Sequence, residues 1–172
     1  MPRVRAALRR ARNGQLARFR DPVNRNGFLL GCLDHTELRP EEHLIVGYGF
    51  RYGPTTKIES VHHVTGRAHS VAIPPTVAHA LWDHYGQDET NEVILFHNHP
   101  LNLLNELLDN PPLASRADRL TLENRALQAP QLLRRLLGQG RVMFFLQENG
   151  MVKEFRLPSV LAFLELAQAN NR

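Results

Sequence analysis

Short apolar runs alternate with amphipathic stretches along the chain. Residues 28–33 form a continuous apolar run and read as a short buried strand. Residues 43–50 and 56–64 read as two more strands, and Tyr52-Gly53-Pro54 between them favours a turn. Pro74-Pro75 opens a helix to about Tyr85, where Val77, Ala78, Leu81 and Tyr85 recur at helical spacing and Gly86 ends the pattern. Residues 92–97 form an apolar strand, and residues 98–114 a long irregular loop. Ser115 begins a long helix that breaks at Pro130 and ends near Gly138 and Gly140. Residues 142–147 and 152–156 read as a hairpin around Glu148-Asn149-Gly150, since Asn-Gly favours the tight turn. Pro158 begins a last helix with Val160, Leu161, Leu164 and Leu166 inward. Such mixing of strands and helices predicts an α/β or α+β layered domain.

The first residues differ in texture. Residues 1–26 carry eight arginines against Asp21, a charge of +7, so the overall +4 leaves 4 − 7 = −3 for the rest. Val4, Leu8, Ala11, Leu16 and Phe19 give only a weak apolar stripe. We therefore expect a basic arm or helix over 1–26 and a globular domain over 27–172. An arginine-rich arm suits nucleic acid or an acidic partner surface. Only Lys57 and Lys153 are lysines, so the arginine bias also fits a coding preference or a solvated tail.

Composition narrows the classes. The chain has 172 residues, of which 42% are hydrophobic, enough for one domain with a core. Cys32 is its single cysteine, which excludes an intramolecular disulfide and a cysteine-built zinc cluster. No apolar run reaches the ~18–20 residues of a membrane span, and no secretory signal is evident. The expected place is the cytoplasm, without membrane attachment.

Candidate chemistry lies in Ile94-Leu95-Phe96-His97-Asn98-His99-Pro100. Alternate strand residues share a face, so His97 and His99 emerge together and Asn98 points away. Pro100 cannot continue a central strand, which puts the pair at a strand end. After the loop, Ser115-Arg116-Ala117-Asp118 resembles a helix cap, and it also presents a hydroxyl and a carboxylate at the mouth of a site. Two His and one Asp fill three positions of a tetrahedral zinc and leave one open for water. The remaining need is a general base. Glu59 leads by placement; Glu89, Glu92 and Glu106 are the other candidates.

Glu59, then His97-Asn98-His99-Pro100, then Ser115-Arg116-Ala117-Asp118, in that order, resemble the motif of the JAMM (MPN+/JAB) zinc metalloproteases. His97-Asn98-His99-Pro100 and residues 110–118 are similar to the RadC-like branch. The similarity spans about residues 40–157. It implies a cytidine-deaminase-like, three-layer fold with a central mixed sheet flanked by helices. It implies Zn2+ on His97, His99 and Asp118, Glu59 as proton acceptor and Ser115 at the oxyanion. The implied reaction is hydrolysis of an amide or isopeptide bond in a protein or peptide, often at a ubiquitin-like C-terminus. One departure stands out: fourteen residues separate Pro100 from Ser115, more than is usual in the family. The surplus, residues 101–108, holds five leucines and reads either as a lid or groove wall or as a helix packed on the domain or a second copy.

Two other readings remain. One is a RadC-like, DNA-associated protein whose arginine-rich N-terminus binds nucleic acid. The other is a non-catalytic scaffold, which the presence of the ligand residues disfavours. A related nucleoside deaminase needs a Pro-Cys-x-x-Cys pair that a chain with one cysteine lacks. His62 and His63 follow Glu59 and could approach the site, whereas His35, His43, His69, His79 and His84 have no partner spacing and read as core or surface residues.

Overall fold

The computed structural model describes residues 2–37, 39–67, 71, 74–98, 142–148 and 151–155. Helix α1 (Pro2–Arg10) leads through a 3-10 turn to strand β1 (Leu16–Asn24) and helix α2 (Arg25–Thr36). Strands β2 (His43–Tyr52) and β3 (Thr55–Thr65) form a hairpin, followed by helix α3 (Pro75–Gln87) and strand β4 (Asn91–Asn98). Strands β5 (Val142–Glu148) and β6 (Met151–Phe155) form a second hairpin. The protein is a mixed α+β structure. Among the described residues its sheet has six strands in the order β1-β3-β2-β4-β5-β6. Only β4 and β5 run parallel; the other neighbours are antiparallel.

The two faces of the sheet bury different clusters. On one face, Val4 and Leu8 of α1 and Phe28 and Cys32 of α2 pack on Ile45, Val61, Ile94, Phe96 and Phe145. On the other, Val77 of α3 packs with Leu44, Val46, Tyr48 and Val93. Neighbouring strand residues feed opposite clusters, as a pleated strand covered on both sides requires.

The strand expected over 28–33 is part of a helix instead. The Asn24 side chain accepts a hydrogen bond from the Gly27 N–H at 2.7 Å, which caps α2. Buried positions then recur as Phe28, Gly31, Cys32, His35 and Thr36, a helical period hidden inside an apolar run. Gly31 is where α1 crosses α2, and a Cβ there would collide with Val4.

Residues 1–26 were expected as an arm or helix set apart from the domain. Within them Pro2–Arg10 and the first two residues of α2 are α-helical, and α1 is no free arm: Val4, Ala7, Leu8 and, beyond its end, Ala11 are fully buried. The rest includes β1, which pairs with β3 through Ala17↔Val61. The boundary drawn at 26 falls inside α2. Arginine-rich composition masked this, because one buried face suffices to dock a helix whatever charge its other faces carry.

The β2–β3 turn holds Gly53 at φ 59°, a left-handed conformation that favours glycine, beside Pro54. The hairpin also carries a bulge: Tyr48 faces Ser60 and Gly49 faces Ile58, so Glu59 is the extra residue. A Cβ on Gly49 would fall on the Lys57 carbonyl, which explains glycine there. The strands expected over 43–50, 56–64, 92–97, 142–147 and 152–156 and the helix from Pro74 match β2, β3, β4, β5, β6 and α3 within about two residues at each end. The expected loop beyond Asn98 and the helices from Ser115 and Pro158 lie outside the described residues. No helix among the described residues is long and apolar enough to cross a membrane.

Candidate active site

The site grows from the end of β4. His97 lies opposite Leu44 of β2, on the same strand parity as Val93 and Leu95, and therefore on the α3 face. Its Nδ1 lies 3.2 Å from the His43 carbonyl oxygen. A carbonyl only accepts, so Nδ1 carries a proton, and in the neutral ring Nε2 then holds the lone pair. Nε2 faces the Glu42 carboxylate, whose Oε2 is 3.6 Å away. His97 is 4% exposed and Glu42 9%. A lone pair and a carboxylate oxygen turned toward each other are electrostatically favourable when they share a cation or a hydrogen-bond donor.

Glu42 is held from its backbone. Its N–H donates to the Arg67 carbonyl at 2.9 Å, and its carbonyl accepts from the Gly66 N–H at 2.8 Å. Glu42 shares the parity of Leu44 and Val46, so its side chain emerges on the His97 side of the sheet. The carboxylate beside the candidate ligand is thus Glu42, one residue before β2.

Glu59 does not occupy that place. His97 is level with Leu44, which is level with Val64. Glu59 lies five residues from Val64 along β3 and two strands from β4, so at ~3.3 Å per residue and ~4.8 Å per strand it sits roughly 19 Å away. It is exposed and lines an open groove with Tyr48, Ser60, Asp83 and His84. The bulge aims it there. Glu92 is buried at the far end of β4, where it accepts from Arg51 Nε at 2.8 Å and from the Thr56 hydroxyl. Glu89 is exposed. His99, Ser115, Asp118 and Glu106 lie outside the described residues. Among the described residues, no group of three or more His, Cys, Asp or Glu side chains is arranged to hold a metal ion.

The other buried histidines lie on both faces of the sheet. On the α1/α2 face, His63 Nδ1 donates to the Leu8 carbonyl at 3.1 Å, and His43 Nδ1 donates to His63 Nε2 at 2.9 Å. The His35 ring stands edge-on to that of His63. Burial first, then the neighbouring His63, lowers His43 to about 3 and His35 to about 4. Burial also pushes His63 down. On the α3 face, Tyr48 Oη and His62 Nδ1 are hydrogen-bonded at 2.7 Å; burial raises the phenol and lowers the imidazole.

One sequence signal could have found Glu42: it precedes a strand whose outward face continues its parity. Recognising it requires knowing that β2 and β4 are antiparallel neighbours, which no local pattern states. No family model matches the chain, and no curated protein matches it.

Proposed function

We propose that this chain is a zinc-dependent hydrolase of the JAMM type, with a cytidine-deaminase-like fold, acting on an amide or isopeptide bond of a protein or peptide. A ubiquitin-like C-terminus is the substrate class the motif resemblance implies. The reading rests on the resemblance and on one observation: the Glu42 carboxylate lies 3.6 Å from Nε2 of His97, and both are buried. The donor chemistry fits a metal, because the His97 ring offers its lone pair on Nε2 and its other nitrogen is tied to a carbonyl.

His97, His99 and Asp118 would hold the ion. Zinc, when bound, supplies Lewis acidity and makes water nucleophilic near neutral pH. Glu42, rather than Glu59, takes the proton from the attacking water and returns it to the leaving amine. Burial keeps bulk water from competing for that carboxylate. Ser115 donates to the developing oxyanion.

Metal analysis tests the reading. We expect about one zinc per chain in the wild type and in Glu42→Gln, and none in His97→Ala. A metal-free wild type, or an unchanged content in His97→Ala, rejects it.

One observation favours a second reading, a RadC-like DNA-associated role. Arg3, Arg5, Arg9, Arg10, Arg12, Arg18 and Arg20 are all exposed. Arg3, Arg10 and Arg20 line a groove of about 280 Å³ beside Phe19. Removing residues 1–26 would strip Val4, Leu8 and Ala17 from the core, so deletion does not test this cleanly. Replacing Arg3, Arg10 and Arg20 by Gln does: DNA affinity and its salt dependence should fall. Unchanged binding excludes the groove.

A further inference from the structure

Asn98 stands between the two histidines and is 1% exposed. The last Cα partners of β2 and β4 at this end are Leu44 and His97. One step further, the Asn98 side chain takes over from the main chain. Its Oδ1 accepts the His43 N–H at 2.6 Å, and its Nδ2 donates to the Glu41 carbonyl at 3.3 Å. A carboxamide carries the same acceptor and donor as a peptide unit, so it adds one rung to the ladder. The two partners set its orientation, since an N–H requires the oxygen and a carbonyl the NH2 group.

These two anchors bracket Glu42. On the opposite edge, the Glu42 N–H and carbonyl are bonded to Arg67 and Gly66. The segment 41–43 is therefore held along both edges. It carries the Glu42 carboxylate and also the His43 carbonyl that meets His97 Nδ1. One side chain thus secures the backbone from which both groups of the site are aimed. Serine is too short to bridge both partners, and aspartate has no proton for the Glu41 carbonyl.

We infer that Asn98 is a positioning residue: its carboxamide locks residues 41–43 so that Glu42 and His97 are held together at one ion. The inference rests on the zinc reading above. It extends the role of the His-x-His stretch to its middle residue, which acts from the other side of the strand.

The test is zinc affinity by chelator competition, together with the cobalt(II) spectrum followed across pH. Wild type, Asn98→Ala, Asn98→Asp and Ile94→Ala are compared. Asn98→Asp preserves shape and the acceptor for His43 while losing the donor, and it serves where Asn98→Ala fails to fold. Ile94→Ala is the control for stability, because Ile94 is fully buried in the core four residues earlier on β4. Both Asn98 variants should bind zinc about 10–100-fold more weakly and shift the pH midpoint of the cobalt bands, as lost outer partners do at metal sites. Ile94→Ala should unfold more easily yet keep its affinity and midpoint. Wild-type affinity and midpoint in the Asn98 variants, or equal losses in Ile94→Ala, overturn the positioning role alone. A wild type that binds no metal overturns the zinc reading and this inference with it.

Discussion

Acid should destabilise this protein as the pH falls below about 6.5. His35 and His43 are buried and neutral, with pKa values lowered to about 4 and about 3 from an ordinary 6.5. In the unfolded chain both regain the ordinary value, so between about pH 4 and 6.5 the unfolded state binds more protons than the folded one. Stability is then fully present above 6.5 and is lost as pH falls. At pH 5 the ordinary value lies 1.5 units above the pH, so at ~1.36 kcal/mol per unit each histidine removes about 2 kcal/mol, and the pair about 4. His63 shifts in the same direction and adds to the loss. Against a typical total of about 5–15 kcal/mol, that is a large fraction. The assay is urea denaturation from pH 7.5 to 5, with a chelator present so that metal release does not contribute. His35→Leu should remove about 2 kcal/mol of the difference between pH 7 and pH 5, because it deletes one of the protons taken up. The ring it deletes has an Nε2 with no hydrogen-bond partner among the described residues. A midpoint flat across this range, or an unaltered slope in His35→Leu, would refute the argument.

Other outcomes follow from single contacts. Gly31→Ala should destabilise by about 1–3 kcal/mol in urea denaturation, because the new methyl group meets Val4 at the α1–α2 crossing. Thr56→Val removes a donor to the buried Glu92 and should cost about 1–3 kcal/mol by the same measurement, with zinc content unchanged. Once a substrate is in hand, Glu42→Gln should lower kcat by about 10²–10⁴-fold, while the exposed Glu59→Ala leaves it near wild type. The reverse pattern would return the role of base to Glu59.

Much of the architecture is legible from local signals. The turn at Gly53-Pro54, the proline start of α3 and the Asn149-Gly150 sequence signal each stand beside elements that the structure contains. These signals work because turn and capping chemistry acts over a few residues and needs no distant partner. The misread segment is instructive for the same reason. Residues 28–33 are apolar on every side, so no period separates strand from helix, and only the Asn24 cap and the contact of Gly31 with α1 decide it.

The sequence by itself determined the candidate residue types: imidazoles spaced two apart toward a strand end, where alternation places His97 and Asn98 on opposite faces. The tertiary structure alone decided which carboxylate lies beside His97. Glu42 and His97 are 55 residues apart, and they meet because β2 and β4 pair in one register, Leu44 against His97. A shift of one residue would turn Glu42 to the other face. Register is set by burial on both sides of the sheet at once, a collective property of the packed chain that no short stretch contains.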